Sequence, residues 1–343
     1  MSVMTDAKLV AIKNALIEKN QKLRNLAELM DVSSWDIIQM DVRNGKASDY
    51  PVGTEFESTY TVDGTAYEFP WIVMDNTREC TWSDGTTHPG LWLRSKYLTQ
   101  EIPVDAPEGE TATEATAISG LTYVGITGTT YTNLNLTAGE TIPYSSYTTV
   151  VKGTVNHRYV YRDGYNRYRD SAIRQWLNSD AETGQWWEST HIGDNPPSNV
   201  LNYRTGFIKC LDPSFVSVIN PVKIQVAANT STDGGATDIM YDRFFPLSLE
   251  EAYGVVQVAN VEGPYFPYWK TATGYDSPTN GSSSSTVDAR KIARYDDHSS
   301  TAGAHLRSAS KNTAYNAWRF NNGYIGDNKA SLSLRAMPIC VIS

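Results

Sequence analysis

The sequence predicts an α+β chain, a helical opening followed by a long β-rich domain with a few short helices. Three observations carry this. Apolar residues recur at alternating steps of three and four over residues 5–31. After Gly45 the period shortens to two and hairpin signals such as Asp63–Gly64 appear. The helical pattern then returns only briefly, at YRDSAIRQWLNSD and LSLEEAYG.

In the opening stretch Leu9, Ile12, Leu16, Leu23, Leu26 and Met30 fall on one seam, with Lys19 where another apolar residue is due. Such a seam of about three heptads either pairs with other copies as a coiled coil or docks on its own domain. The expected boundary places this helix in residues 1–34 and the main domain in 35–343.

TEFESTYTV puts Phe56, Ser58, Tyr60 and Val62 on one strand face. Asp63–Gly64 predicts a two-residue hairpin turn. TAYEFPWIVMD reads as the returning strand, with Trp71, Ile72 and Val73 bound for the core, and GLWLRSKYL as a further strand. Residues 107–155 are rich in Thr, Gly, Tyr and Ser and read as a β-rich insertion. In the helix after it, Ala172, Ile173, Trp176 and Leu177 share a face. TGQWWEST adds two adjacent tryptophans suited to a core wall. Ser248 and Glu251 make a capping box after the strand-like RFFPL. Residues 271–286 read as loop.

The chain has 343 residues, a formal net charge of −9 and 11% aromatic residues. Aromatic richness argues against disorder, and the acidic balance argues against nucleic acid as a partner. No apolar run approaches the roughly 18 residues that a membrane helix needs, so membrane insertion is not expected. The opening MSVMTDAKLV has neither the basic nor the apolar region of a signal peptide. Cys80, Cys210 and Cys340 are too far apart for a disulfide framework or a zinc knuckle; Cys210 and Cys340 read as buried, inert thiols. The five histidines show no metal-ligand spacing, Asp296–Asp297–His298 reads as a solvated loop, and GSSSS at 281–285 lacks the lysine of a phosphate loop. No cofactor, metal or catalytic residue is expected, and no cluster of titratable residues marks an enzyme.

Residues 304–335 are the informative stretch. AWRFN–NG–YIG predicts a hairpin with Asn322–Gly323 as its turn. Around it an apolar skeleton is interleaved with Asn, Ser, Tyr, Thr, Asp and His, the residue types that binding surfaces use.

YRDSAIRQWLNS, RFFPLSLEEA and HLRSASKNTAYNAWRFNNGYIGDNKASLSLRAMPICVI together resemble the phage and gut-bacterial DUF6273 family, itself similar to the formylglycine-generating-enzyme type of C-type lectin fold. The pattern LRSA…AW.F…G.I…N.A also resembles the variable region of diversity-generating retroelement target proteins, in which adenines of Asn codons are randomised. The resemblance covers roughly residues 49–343, with the insertion excepted, and the opening WDIIQMDVRNGKASDYPVGTEF resembles leading segments of phage structural proteins.

The resemblance implies a C-type-lectin-like domain whose ligand surface is formed by His305, Ser310, Asn312, Thr313, Tyr315, Asn316, Arg319, Asn321, Asn322, Tyr324, Asp327, Asn328, Ser331 and Ser333. Trp318, Phe320, Ile325, Leu332 and Leu334 would be fixed scaffold. Lys311 and Lys329 depart from the adenine pattern, and the tripeptides of calcium-dependent sugar binding are absent. The implied protein is a receptor-binding (adhesion) component of a phage or prophage, assembled in the host cytoplasm and placed at the tail or tail-fibre tip of the virion. Its partners would be a host cell-surface protein or glycan, other virion proteins and further copies of itself, with a trimer favoured. The alternatives are a capsid or tail decoration protein without a receptor, and an enzyme on the same fold.

Overall fold

The computed structural model describes residues 33–107, 163–190, 194–230, 233–273, 291–321 and 323–343, with Glu18–Lys19, Thr137 and strand backbones between 114 and 152. The heptad seam over 5–31 and most of the 271–286 loop lie outside the described residues.

The first helix, α1 (Ser34–Arg43), starts where Ser33 and Asp36 cap each other reciprocally, Ser33 N–H donating to Asp36 Oδ2 at 2.9 Å. It buries Trp35, Ile38 and Val42, and Gln39 and Arg43 donate to Ser343 O at 3.1 and 3.2 Å. Short strands follow: β1 (Glu55–Phe56), β2 (Thr59–Val62), β3 (Thr65–Glu68), β4 (Trp71–Asp75), β5 (Cys80–Thr81), β6 (Thr87–His88), β7 (Leu91–Ser95) and β8 (Glu101–Ile102). β2 and β3 form the expected hairpin. Val62 pairs with Thr65, and Asp63 and Gly64 have φ of 49° and 78°, the positive values a type I′ turn requires. The returning strand is not continuous as predicted. It breaks at Phe69–Pro70, where proline has no N–H for a ladder, and β4 joins a different sheet, with Trp71, Ile72 and Val73 buried.

Within the insertion the described backbone forms β9 (Glu114–Thr116), β10 (Tyr123–Thr127), β11 (Thr130–Leu134), β12 (Thr141–Pro143) and β13 (Thr149–Lys152), in sheets ordered β11-β10-β13 and β12-β9. Beyond it come α2 (Ala172–Leu177), α3 (Ser198–Leu201), α4 (Pro213–Ser217), the pair β14 (Val222–Ala227) and β15 (Thr237–Asp242), β16 (Phe245–Pro246), α5 (Leu249–Tyr253) and α6 (Pro267–Thr273). Ala172, Ile173, Trp176 and Leu177 of α2 are all buried, and Ser171 caps the helix by accepting from Arg174 N. The Ser248–Glu251 capping box forms as expected. Of the paired tryptophans, Trp186 is buried and Trp187 half-buried against the core.

The chain closes with β17 (Ala304–Ala309), β18 (Asn316–Asn321), β19 (Tyr324–Lys329), β20 (Leu334–Ala336) and β21 (Pro338–Ile342). One five-stranded sheet runs β1-β4-β7-β21-β16 and a second runs β19-β18-β17-β20-β8. They are tied by the single residue Met337 between β20 and β21. β4, β7 and β21 are buried at every position, as expected of strands covered on both faces. Trp71 lies at the heart of this core, 4.8 Å from Phe215 and 5.8 Å from Phe244 between ring centroids. Mixed strands and short helices, most strands in small sheets, make this an α+β protein.

Candidate functional site

The predicted hairpin is present. β18 and β19 pair from Asn316↔Lys329 to Asn321↔Tyr324, and Gly323 in the turn has φ of 90°. On one side β18 pairs with β17, so the hairpin is anchored to the sheet and its other strand is an edge. Phe320 is buried, 5.6 Å from Tyr253 and 6.2 Å from Trp269. Trp318 and Ile325 are half-buried against the core.

The loop joining β17 to β18 is held from beneath by a buried amide. Asn166 Nδ2 donates to Thr313 O and Asn316 O, each at 2.7 Å. Asn166 Oδ1 in turn accepts from Asn229 Nδ2 at 3.0 Å, Asn229 donates to Asp233 at 2.8 Å, and Tyr165 Oη donates to the other Asp233 oxygen at 2.6 Å. Arg167 stands 3.7 Å from Asp233 and pairs with Asp238 at 2.7 Å. Thr230 N and Oγ1 both donate to Lys311 O at 2.9 Å. A satisfied buried network of this kind fixes one loop geometry.

The far end of the surface is fixed by close backbone approach. Gly164 has φ of 81°, and a Cβ there would lie 2.8 Å from Ser331 N. Ser331 N donates to Asp163 O at 2.8 Å, and Lys329 pairs with Asp163 at 3.0 Å.

The expected display residues divide by burial. Asn312 and Asp327 are exposed, and Thr313, Tyr315, Asn316, Arg319, Asn328, Ser331 and Ser333 are half-buried at the surface. Asn316 Nδ2 and Ser310 Oγ both donate to Asp327 Oδ2, at 3.3 and 2.8 Å, and Asn199 Nδ2 donates to Ser333 Oγ at 3.3 Å. Asn322 and the side chains of Asn321 and Tyr324 lie outside the described residues. His305 and Ser310 do not stand on the surface, being only 2% and 7% exposed. His305 is on β17, flanked by β18 and β20, and its Nε2–H donates to Leu332 O at 2.9 Å. Burial lowers its pKa to about 4. The Ser310 hydroxyl is spent on its bond to Asp327. Leu332, expected as scaffold, is instead 36% exposed.

Five buried donors within residues 304–335 have no hydrogen-bond partner among the described residues: Arg307 Nε, Thr313 Oγ1, Trp318 Nε1, Arg319 Nε and Arg335 Nε. Arg319 joins no ion pair among the described residues. An unmade hydrogen bond of this kind costs about 1–3 kcal/mol. The supporting residues Asn166, Asn229 and Asp233 were not legible in the sequence, because nothing in GYN or DGG announces a partner about 65 or 150 residues away.

A second constellation is buried beside β17. Arg307 donates to Pro246 O at 2.8 Å, to Glu251 Oε2 at 2.6 Å and to Glu262 O at 2.6 Å. Arg78 donates to Glu251 Oε1 at 3.1 Å and lies 4.0 Å over the Trp92 ring. Ser308 Oγ donates to Glu262 Oε2. A cavity of about 240 Å³ opens above this cluster, lined also by Cys80, Lys223 and Gln225. The compact titratable cluster that the sequence does not show is therefore present. Burial raises Glu262 to about 7, against the opposing pull of Arg307. Glu251 is equally buried, yet Arg307 and Arg78 hold it below the usual carboxylate range.

The remaining tempting groups are structural. Cys80, Cys210 and Cys340 are all buried and unpaired, and burial pushes the Cys340 thiol well up. Asp297 is occupied by Arg294 and by the N–H groups of Ser299 and Ser300.

The architecture defines an α+β protein with a polar surface built on a C-terminal hairpin. Residues 145–342, more than half of the chain, match the family described as Domain of unknown function (DUF6273), and the chain belongs to that family. The match starts at residue 145 and takes in α2, the β14–β15 pair, α5 and the C-terminal hairpin. No curated protein and no solved structure matches the chain.

Proposed function

We propose that this protein is a receptor-binding adhesin of a phage or prophage, with a C-type-lectin-like domain that displays residues 312–333 to a host cell-surface protein or glycan. The observation that carries this reading is the division of labour in the C-terminal stretch. A polar, surface-lying set (Asn312, Tyr315, Asn316, Arg319, Asp327, Asn328) sits on an apolar scaffold whose connecting loop is clamped by Asn166. A rigid platform loses little ordering entropy on binding, so exchangeable side chains can set specificity without disturbing the fold. Adhesion rather than catalysis is the mechanism. Several copies on a virion, with a trimer favoured, turn weak single contacts into avidity.

We further propose that the surface is diversified by a retroelement. Sequencing the 3′ end of the gene across a phage or lysogen population tests this. Substitutions at the adenine positions of codons 312–333, with Trp318, Phe320 and Leu334 unchanged, support it; a uniform sequence removes it.

The Arg307–Glu251–Glu262 cavity favours a second reading, an enzyme on the same fold, because Glu262 is poised near neutral pH. Against it, every hydrogen bond of the Arg307 Nη groups and of Glu251 is spent on the protein itself. A decoration protein without receptor would bind no cells.

A further inference from the structure

The β14–β15 pair stands apart from both large sheets, with only two strands. Its register runs without a shift from Val222↔Asp242 to Ala227↔Thr237. Just beyond the strands Ala228 N donates to Ala236 O at 2.8 Å, in the same register. That bond fixes the phase of the ladder: residues 226/238, 224/240 and 222/242 exchange hydrogen bonds, and the backbone groups of Thr237, Ile239 and Tyr241 point away from β14. These outward groups have no partner among the described residues.

The side chains of the same three residues are exposed, Ile239 by 52% and Tyr241 by 38%, while Asp238, Met240 and Asp242 are buried. The two acids, which could have guarded the edge, are turned inward and neutralised: Asp238 by Arg167 and Arg169, Asp242 by Arg174. Edge strands are ordinarily blunted by lysine, proline, bulges, inward-pointing charges or brevity. Of these β15 has only its two inward acids, and both are paired with arginines. It is six residues long, unbulged, and carries its two largest exposed apolar groups beside its free backbone.

We propose that β15 is a self-association edge, pairing antiparallel with β15 of a second copy about a two-fold axis at Met240. In that register Ile239 lies opposite Tyr241 of the second copy, and Tyr241 opposite its Ile239. These are two β-branched/aromatic cross-strand pairs of the favoured kind; the same register sets Asp238 opposite Asp242 of the second copy, each already paired with arginines of its own chain. The outward N–H and C=O groups of 239 and 241 then form the next hydrogen-bonded pairs, and one four-stranded sheet crosses the interface. This contact is independent of the receptor-binding reading and of any coiled coil formed by residues 5–31.

The test uses the full chain. In the variant Ile239→Cys/Tyr241→Cys, mild oxidation is expected to give a disulfide-linked dimer on a non-reducing gel, since the three native cysteines are buried. Ile239→Pro removes an outward N–H and no β14 bond; Tyr241→Glu places a carboxylate beside Lys223, its cross-strand neighbour. Each is expected to weaken association at least tenfold by light scattering, with melting temperature held near wild type by Tyr241→Glu. A wild-type mass that is monomeric, or a trimer unmoved by either variant, together with no cross-link, overturns the proposal. A monomer that captures an added TDIMYD peptide overturns it too, and assigns the edge to a foreign strand.

Discussion

Asn166 Nδ2 lies 2.7 Å from Thr313 O, joining residues 147 positions apart in sequence. The same nitrogen reaches Asn316 O, so one amide spans the loop that carries Asn312 and Tyr315. Asn166→Ala removes the donor to Thr313 O and to Asn316 O and the acceptor for one N–H of Asn229, while Asn316 O keeps Ser310 N and Asn229 keeps Asp233; a loss of about 1–3 kcal/mol is expected. Urea unfolding measures the loss. Hydrogen exchange should rise first at residues 311–316. Unchanged exchange there would show that the loop holds its shape without the clamp.

Arg307 ties β17 to α5 and to the 255–266 loop through Glu251 and Glu262 O. Removing one partner of a buried ion pair strands the other, so Arg307→Ala should cost about 3–5 kcal/mol. Lysine should rescue little, because a point charge cannot reach three acceptors arranged around a planar fork. Thermal unfolding of the two variants side by side makes the comparison.

Glu262 and His305 bend the pH dependence of stability in opposite directions. Glu262 has a folded pKa of about 7, above its unfolded value, so its neutral form is favoured in the fold and stability is lost as pH rises from about 4.5 to 7. His305 has a folded pKa of about 4, below its unfolded value, so stability is lost as pH falls from about 6.5 to 4. Each is worth on the order of 3 kcal/mol at its limit. Relative to wild type, Glu262→Gln should gain stability above pH 7 while the acid loss from His305 remains. His305→Gln should be relieved of the acid loss and keep the alkaline one. Denaturation midpoints between pH 4 and 8 decide this, and parallel profiles for all three proteins would refute it.

Gly164→Ala tests the close approach behind Ser331. A positive φ and a Cβ 2.8 Å from backbone nitrogen combine, and a cost of about 2 kcal/mol or more is expected. A melting temperature equal to wild type would mean that the 330–331 backbone moves aside freely.

Much of the fold was legible where local chemistry decides it. Asp63–Gly64, Asn322–Gly323 and the Ser248–Glu251 capping box each announce a structure formed by near neighbours. α1 is written in the same chemistry: Ser33 and Asp36 make a capping box, and Trp35, Ile38 and Val42 follow helical spacing. The split after β3 turns on Pro70, a single residue within an otherwise strand-like run. The burial of His305 and the Asn166 network were not legible, because each depends on which strands become neighbours. The alternation around 304–310 gives no sign that β17 is flanked on both sides.

The display surface makes the most direct claim on function. Asn312, Arg319 and Asn328 reach the surface without carrying the fold, so their joint replacement by alanine should shift stability by about 1 kcal/mol or less. The decisive measurement is binding of the labelled full chain to a panel of bacterial strains, wild type against this triple variant. The account predicts that wild type binds a subset of strains and that the variant loses binding at least tenfold while unfolding at the same denaturant concentration. Equal binding by the two proteins, or no binding to any strain by wild type, would contradict it.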